Sequence, residues 1–450
     1  MSESASSKRK SSEEPAPEKY PRNDHCVSRS EIDPDALKIM YRLIRHGFKA
    51  YLVGGGVRDL LLGKKPKDFD IATDATPRKI KSLFRNCRVI GRRFKLAHVY
   101  FRNNKIIEVS TFRDLSLPVD AEESSEETDL IVEQNNVYGT PATDAWRRDL
   151  TINALFYELS TFSIIDYVGG MKDLKEKTIR IIGEPKTRYQ EDPVRMLRAV
   201  RHAARAGFSI EKKSEKAIQE LHHLLESASQ VRVYEELRKD LASGASLPML
   251  RLLAKTGLLE HLLPELLLND AVLLTEESYF SQVLERIDSF VGEERREVST
   301  TSILAAIALF LVSYPSSYEA LVDQHLEREE LSDHLKSCFV KLMVPRKERE
   351  RIDDLLGLWA KLLQTPIERV KRLNLERRKC IEDLDLLLHW LGEDGHSGKL
   401  HELVKEATMA KSDYGTRPHR RPRGEQHQKR NSSKKQSSRS GSRSKKRNPE

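Results

Sequence analysis

A single stretch, YLVGGGVRDLLLGKKPKDFDIAT, constrains the fold of this chain more than any other feature. It runs from Tyr51 to Thr73 and is typical of a strand, a glycine turn, a short helix, a basic loop and a second strand. Residues two apart in a strand share a face, so a strand that opens at Asp68 would project Asp68 and Asp70 to the same side. Adjacent carboxylates repel each other unless a cation lies between them, and the pair therefore predicts a divalent metal ion.

The glycine turn between the two strands predicts the other half of a phosphate site. Its three glycines, residues 54–56, let the backbone approach a ligand closely because glycine has no Cβ. A helix that begins near Val57 would direct free N–H groups toward that ligand, and Arg58 adds a cation that Asp59 can orient. Together with the aspartates, the turn describes a site for a metal-bound nucleoside triphosphate.

Other motifs fit this stretch less well. A Walker A loop needs Ser or Thr after Gly-Lys, but Lys65 stands there. A Rossmann fingerprint needs a third glycine where Asp59 stands. An EF-hand needs glycine and glutamate where Thr73 and Lys79 stand. The remaining alternative, in which the two aspartates only flank a solvated turn, is disfavoured by the glycine turn upstream.

A further carboxylate interrupts the apolar strand predicted at residues 105–112. Alternation places Glu108 on the same face as Ile106 and Ser110. Glu108 is either an edge glutamate that faces water or a third carboxylate beside the aspartate pair. We favour the second interpretation, because an unpaired carboxylate in a partly buried strand would cost several kcal/mol.

Residues 144–155, DAWRRDLTINAL, are predicted to form a helix-like segment. Arg147 or Arg148 could bind triphosphate oxygens. Asp149 could accept a hydrogen bond from a ribose hydroxyl or help to order the metal site, and Asn153, one turn further, could share its face. The alternative is that these are ordinary charges on an exposed helix.

Residues 191–193, Glu-Asp-Pro, predict the start of a helix, after which the pattern stays helical almost to the tail. Asp192, Arg195 and Arg198 recur every three residues and can share one face. An Asp–Arg pair offers donors and acceptors in a plane that suits the edge of a base. An ordinary intrahelical ion pair is the alternative.

The composition predicts an intracellular protein without a metal site outside the head. The four cysteines form no CxxC pair, which excludes the usual zinc and disulfide patterns, and His261 and the other scattered histidines are interpreted as packing or surface residues. The longest apolar run, residues 303–312, is too short to span a bilayer and predicts a core helix. We therefore expect a cytoplasmic protein with no membrane partner.

The net charge of +9 resides in the C-terminal tail, where residues 411–450 carry 14 Lys and Arg against 3 Asp and Glu. Such a segment is either a solubilising extension or a flexible tether for RNA or RNA-decay proteins, and we favour the tether. The whole chain is predicted to be α+β. Its expected parts are a disordered segment at 1–30, a part with a small mixed sheet at 31–185, helical parts at 186–240 and 241–410, and the disordered tail at 411–450.

Five motifs occur in a fixed order: GGGVRDLLLG…KDFDIAT, IIEVSTFR, RRDLTINAL, DYVGG and EDPVRMLRAVR. This set resembles the class II nucleotidyltransferases, which comprise CCA-adding tRNA nucleotidyltransferases and bacterial poly(A) polymerases. The stretch VIGRRFKLAHV and the basic tail are closer to the poly(A) polymerase branch. Leu150 and His202 stand where the family often has phenylalanine, and the acidic loop 114–136 is unusual.

The resemblance implies a polymerase-β-like head and template-independent transfer of AMP from ATP to RNA 3′ ends, with two Mg²⁺ ions. It also implies that residues 31–185 are a catalytic head, residues 186–240 a helical neck and residues 241–410 a helical RNA-binding body. Among individual residues, it implies Asp68 and Asp70 as metal ligands, Glu108 and Asp149 as supporting acidic residues, Gly54, Gly55 and Arg58 as triphosphate contacts, and Asp192, Arg195 and Arg198 as base-recognition residues. CCA addition, a non-catalytic RNA-binding protein and an interaction scaffold remain alternatives.

Overall fold

A mixed sheet of eight strands forms the first part of the protein. The computed structural model describes residues 16–91, 95–114, 138–267, 274–275, 277–294, 298–313, 315–323, 339–392 and 396–415. The strands of the sheet are β1 Glu18–Tyr20, β2 Ala50–Val53, β3 Asp70–Thr73, β4 Cys87–Ile90, β5 Leu96–Tyr100, β6 Ile106–Thr111, β7 Leu155–Glu158 and β8 Ser163–Asp166. Their order is β1-β8-β7-β2-β3-β6-β5-β4, and every neighbouring pair is antiparallel except β3 and β6.

Short helices connect these strands: α1 Pro34–Arg45, α2 Gly55–Leu61, α3 Pro77–Leu83, α4 Pro141–Trp146 and α5 Gly170–Lys175. Helix α1 has a capped start, because the Asp33 carboxylate accepts hydrogen bonds from two backbone N–H groups of the first turn. Thr76 caps α3 in the same way. A small parallel pair, β9 Thr178–Ile179 and β10 Ser209–Ile210, follows the main sheet.

The rest of the described chain is helical apart from β10. Its helices are α6 Pro185–Glu191, α7 Val194–Ala206, α8 Lys212–Leu221, α9 Gln230–Leu241, α10 Ser246–Lys255, α11 Leu259–Leu262, α12 Tyr279–Glu294, α13 Thr300–Ser313, α14 Tyr318–Asp323, α15 Arg346–Leu363, α16 Ile367–Val370, α17 Ile381–Leu391 and α18 His396–Gly415. The apolar helix α13 is buried over residues 300–311, as predicted for a core helix. Among the described residues, no helix combines the length and the apolar character needed to cross a bilayer. The α+β prediction, a mixed sheet followed by helices, is confirmed.

The two faces of the sheet pack against cores of different size. Leu52 and Ile71 point into the large core, which continues through the helical region. Val53 and Ala72, on the opposite face, belong to a small cluster that contains Phe156. Because side chains alternate along a strand, Asp70 lies on the face of the small cluster.

The structure corrects three sequence predictions. The predicted disorder of residues 1–30 is wrong for residues 16–30, since β1 pairs with β8 and Val27 is fully buried; residues 1–15 lie outside the described residues. The segment 144–155 is not one helix: α4 ends at Trp146, a 3-10 turn follows at Thr151–Asn153, and β7 begins at Leu155. The last helix, α18, continues to Gly415, which shortens the predicted tail.

Two other predictions fall on residues that the structure does not describe. Most of the acidic loop, residues 115–137, lies outside the described residues, as do residues 416–450 of the basic tail.

The predicted start of the second strand of the glycine-turn stretch also needs correction. Strand β3 begins at Asp70 and not at Asp68. Asp68 therefore precedes the strand, and it is exposed.

Candidate active site

The parallel pairing of β3 and β6 brings two carboxylates together. Ile71 lies opposite Val109 in the register, and both are buried. The preceding residues, Asp70 and Glu108, are therefore neighbours on the opposite face of the sheet. Strand β6 runs between β3 and β5, so Glu108 does not lie on an edge strand, although its side chain faces water in part. The Glu108 carboxylate is half-exposed and lies 3.3 Å from His98 Nε2.

The glycine turn lies directly beside Asp70. Val53 pairs with Asp70, so the chain leaves β2 next to this carboxylate. Gly54 has a φ of +73°, which glycine adopts without strain. A Cβ there would lie 3.6 Å from Asp70 Oδ2 and 3.5 Å from Arg148 Nη1. A Cβ at Gly56 would come within 3.1 Å of the Asp68 carbonyl oxygen, so the turn packs closely against both aspartate positions.

The electrostatics of Asp70 indicate a site with an excess of negative charge. Burial is the largest cause that raises the pKa of Asp70 to about 6; the negative charges of Glu108 and Asp68 contribute to this rise, and Arg148 opposes it. Three carboxylates and one guanidinium thus act on one small volume at the glycine turn. Carboxylate oxygens are the ligands that Mg²⁺ prefers, and a divalent cation would relieve this repulsion, so the residues present fit a magnesium site.

Asp144, a residue whose role the sequence analysis missed, anchors both arginines of the RRD motif. Its carboxylate is fully buried, with Arg147 Nε 2.8 Å from Oδ1 and Arg148 Nη2 3.0 Å from Oδ2. Arg148 also donates to the Asn153 carbonyl oxygen at 3.2 Å. The spacing of three and four residues from Asp144 to the two arginines was a signal available in the sequence.

Arg58 is held in a fixed orientation, as predicted from the adjacent aspartate. Its Nε and Nη2 donate to Asp59 Oδ1 at 2.9 and 2.7 Å, and its Nη1 donates to Asn153 Oδ1 at 2.7 Å. The Asn153 amide in turn lies 3.2 Å from His202 Nε2 of helix α7. Arg58 and Asn153 therefore join the glycine turn to the first long helix after the sheet.

Asp149 belongs to a different group from Asp70. Arg198 Nε donates to Asp149 Oδ2 at 2.5 Å, and the Leu150 N–H donates to Oδ1 at 2.8 Å. Burial alone would raise the pKa of Asp149, but the Arg198 guanidinium holds this pKa well below its usual range. The pair connects the sheet region to α7.

The three predicted base-recognition residues do not share one helical face. Helix α7 begins at Val194, and Asp192 lies before it, where two nitrogens of Arg232 contact its carboxylate at 3.1 and 2.9 Å. Arg195 Nη1 donates to Glu191 at 2.9 Å. The arginine that pairs with Asp192 is thus Arg232, 40 positions further along the chain. No local pattern could indicate this partner.

Arg188 is a second residue that the sequence analysis missed. Its buried guanidinium donates from Nη2 to the carbonyl oxygens of Arg147 and Arg148, both at 2.9 Å. Its own carbonyl accepts from Arg195 Nη1 at 3.0 Å. Arg188 thereby fixes the backbone of the RRD motif against helix α6. Through its own carbonyl it also contacts Arg195 of helix α7.

Comparisons with known proteins identify the family to which this chain is similar. Residues 50–180 match the poly A polymerase head domain, and residues 207–268 match the model described as a probable RNA and SrmB-binding site of polymerase A. Poly(A) polymerase I of Escherichia coli O6:H1 is 39% identical over 422 residues, covering 86% of this chain and 89% of that protein. A CCA-adding enzyme of Bacillus pumilus is 36% identical over 228 residues, covering 50% of this chain and 54% of its own.

Solved structures show the same fold. The Bacillus stearothermophilus CCA-adding enzyme in complex with CTP aligns with a TM-score of 0.58 and 23% identity, covering 84% of this chain and 83% of that one. The head-domain match contains the glycine turn, Asp68, Asp70, Glu108 and the RRD motif. The chain therefore belongs to the class II nucleotidyltransferase family of poly(A) polymerase I and the CCA-adding enzymes, and it is an RNA nucleotidyltransferase.

Proposed function

We propose that this protein polyadenylates RNA without a template, transferring AMP from ATP to the RNA 3′-hydroxyl and releasing pyrophosphate. The observation that carries the proposal is the convergence of Asp68, Asp70 and Glu108 on the glycine turn at Gly54. The near full-length similarity to poly(A) polymerase I supports the adenylate-specific branch of the family. We place the reaction in the cytoplasm, with ATP and RNA 3′ ends as its substrates.

We propose Asp68 and Asp70 as the ligands of two Mg²⁺ ions, with Glu108 as a supporting carboxylate. Ions bound there supply Lewis-acid chemistry, activating the 3′-hydroxyl and neutralising charge on the pyrophosphate leaving group. The raised pKa of Asp70 supports this assignment, because the carboxylate lies among negative charges that a cation would compensate.

The triphosphate is proposed to lie against the glycine turn. The backbone of Gly54 and Gly55 can approach the phosphates, and Arg148 extends to this turn from its anchor on Asp144. Arg58 and Arg147 contribute further positive charge, each held by a neighbouring carboxylate. A guanidinium whose direction is already fixed loses little entropy when it binds phosphate, so these contacts position ATP for in-line attack.

Base selection is proposed to depend on Asp192, Arg195 and Arg198. Arg232 holds the Asp192 carboxylate and Asp149 holds the Arg198 guanidinium, so both planar groups have fixed orientations. Planar groups held in this way can present a defined set of donors and acceptors to the edge of adenine. In this scheme Asp149 acts on the base through Arg198 and is a positioning residue.

The basic C-terminal residues are proposed to tether RNA or an RNA-decay protein. Their Lys and Arg content attracts phosphates without reading sequence, and their lack of apolar residues fits a flexible extension. This contact would keep a growing 3′ end near the head between additions.

CCA addition to tRNA is the second candidate. The B. pumilus CCA-adding enzyme matches half of this chain, and this match supports the shared transfer chemistry without distinguishing the nucleotide that is used. Two alternatives from other classes, a non-catalytic RNA-binding protein and a scaffold built on the helices after α7, are disfavoured by the carboxylate cluster.

A single-nucleotide extension assay separates these functions. The full-length protein is incubated with Mg²⁺, one nucleoside triphosphate at a time, and either a generic RNA primer or a tRNA that lacks its CCA end. We expect a long ladder with ATP alone on both RNAs. Addition of two residues to the truncated tRNA with CTP alone, and none with ATP alone, would establish the CCA-adding function instead. No incorporation with retained RNA binding would favour the non-catalytic protein, and failure to bind ATP with Mg²⁺ would favour the scaffold.

A further inference from the structure

A compact group of histidine and glutamate side chains lies in the helical region, apart from the active-site carboxylates. His222 opens the 3-10 segment His222–Ser227, and Glu260 and His261 lie in helix α11. His222 Nδ1 is 2.8 Å from His261 Nε2 and 2.8 Å from Glu260 Oε1, and His261 Nε2 is 3.0 Å from the same oxygen. Three potential metal-ligand atoms therefore form a triangle with sides of hydrogen-bond length.

If both histidines are neutral, their protons cannot provide a hydrogen bond for each of the three contacts in this triangle. His261 Nδ1 lies 2.9 Å from Glu226 Oε1, and because a carboxylate only accepts, the proton of His261 belongs on Nδ1. Its Nε2 then presents a lone pair toward Glu260 Oε1, which also presents lone pairs. Whichever contact the His222 proton serves, His261 Nε2 and Glu260 Oε1 still face each other without a hydrogen. Either an additional proton or a metal cation resolves this contact.

Two features of the surroundings favour a metal ion. The arrangement of Glu226, His261 and the open Nε2 is the carboxylate–histidine pattern that orients metal-bound imidazoles in proteins. Gly257 packs against His222: a Cβ there would lie 3.1 Å from the ring, and the φ of +80° favours glycine. Both imidazoles are therefore held in place from behind, His261 by a carboxylate and His222 by the backbone.

We propose that His222, Glu260 and His261 bind a divalent transition-metal ion, for which the two nitrogens and one oxygen favour Zn²⁺. Zinc ligands at about 2.0–2.1 Å in tetrahedral geometry lie roughly 3.3 Å from one another, so the three atoms need to separate by only a few tenths of an ångström. The Glu260 side chain is 46% exposed, which leaves the fourth position open to water.

The bound ion would join two segments that are distant in sequence. It would tie the 3-10 segment after α8 to helix α11, and both lie within residues 207–268, the region matched by the RNA-binding model. The role is structural and does not depend on the proposed polyadenylation activity.

Cobalt and zinc titrations of the full-length protein test the proposal. The protein carries no histidine tag, is first stripped with a chelator, and is kept in excess Mg²⁺ so that the active-site carboxylates are occupied. We expect one equivalent of Co²⁺ to give visible d–d absorption, Zn²⁺ to displace it, and Zn²⁺ to raise Tm by several degrees. His222→Gln and His261→Gln should each weaken zinc affinity at least 100-fold, and Glu226→Gln should weaken it roughly 10- to 100-fold.

His223→Gln is the matched control, because His223 is exposed and adjacent to the triangle without contributing an atom to it. Its affinity should equal that of the unmodified protein. Tm in the presence of chelator shows that each variant folds. The proposal is overturned if no cobalt band forms, or if His222→Gln and His223→Gln bind zinc equally. A third outcome also overturns the proposal: the stability difference between the unmodified protein and His222→Gln changes with pH but not with added zinc. The triangle would then hold an additional proton and no metal ion.

Discussion

Replacing Asp149 by asparagine tests the contact between the sheet region and helix α7. Removing one partner of a buried ion pair costs about 3–5 kcal/mol, because the remaining charge loses its compensation. Arg198 is 36% exposed and keeps a weaker partner in Glu236 Oε2 at 4.0 Å. We therefore expect Asp149→Asn to lower the free energy of unfolding by about 2–3 kcal/mol, which is below that range because Arg198 is partly exposed and keeps Glu236.

A double-mutant cycle in urea denaturation isolates this contact. Asp149→Asn, Arg198→Gln and the double variant are compared, and we expect a coupling energy of about 2 kcal/mol. Since Arg198 depresses the pKa of Asp149, the unfolded state binds the proton more tightly. The coupling should stay constant from pH 8 to about 5 and decline only below about pH 4, where the carboxyl of the unfolded chain becomes protonated.

The same variants distinguish a positioning role from a metal-binding role for Asp149. If Asp149 is a positioning residue, Asp149→Asn should leave Mn²⁺ binding to the stripped protein within about twofold of normal and should reduce discrimination between ATP and other nucleotides. Loss of a metal ligand would instead cost several kcal/mol of cation binding. Coupling below about 0.5 kcal/mol would contradict the ion-pair argument. A large loss of Mn²⁺ affinity would instead place Asp149 in the metal site.

Three further perturbations have expected outcomes. Gly54→Ala should cost about 1–2 kcal/mol of stability, measured by urea denaturation, and slow AMP transfer at least tenfold, because a Cβ would be strained at φ +73° and would fill the space beside Asp70 and Arg148. Burial lowers the pKa of His202 to about 3, so below about pH 6.5 the unfolded chain binds a proton that the native protein does not. The native protein should therefore lose stability as pH falls, and His202→Gln should show a shallower decline in urea midpoints from pH 7.5 to 5. Deleting residues 416–450 should weaken RNA binding and flatten its salt dependence; identical affinities across a salt series would contradict a tether.

Local sequence patterns predicted the centre of the site well. An apolar run located strand β6 to within one residue at each end. The glycine turn and the aspartate pair were predicted to be close, and the register of β2 with β3 places them side by side. These features depend on contacts between residues close in sequence. Local patterns such as hydrophobic periodicity report on such contacts, and this is why the prediction succeeded.

Contacts between distant segments could not be predicted in the same way. Arg188 and Arg232 bind groups about 40 residues away, and an isolated arginine in a helix gives no sign of such a partner. The RRD motif was predicted to continue a helix-like segment from Asp144. In the structure the helix ends at Trp146, and the Arg188 guanidinium holds the carbonyl oxygens of Arg147 and Arg148 from about 40 residues away. This tertiary contact lies outside any local pattern.

The central claim is that the carboxylates at the glycine turn hold the cations needed for transfer. The most direct measurement is AMP incorporation from ATP into an RNA primer by Asp68→Ala and Asp70→Ala, with RNA affinity and Tm measured on the same preparations. We predict that each variant loses at least a thousandfold in rate, equivalent to about 4 kcal/mol of transition-state stabilisation, while both controls stay near normal. Transfer within tenfold of the unmodified rate by either variant would contradict the claim.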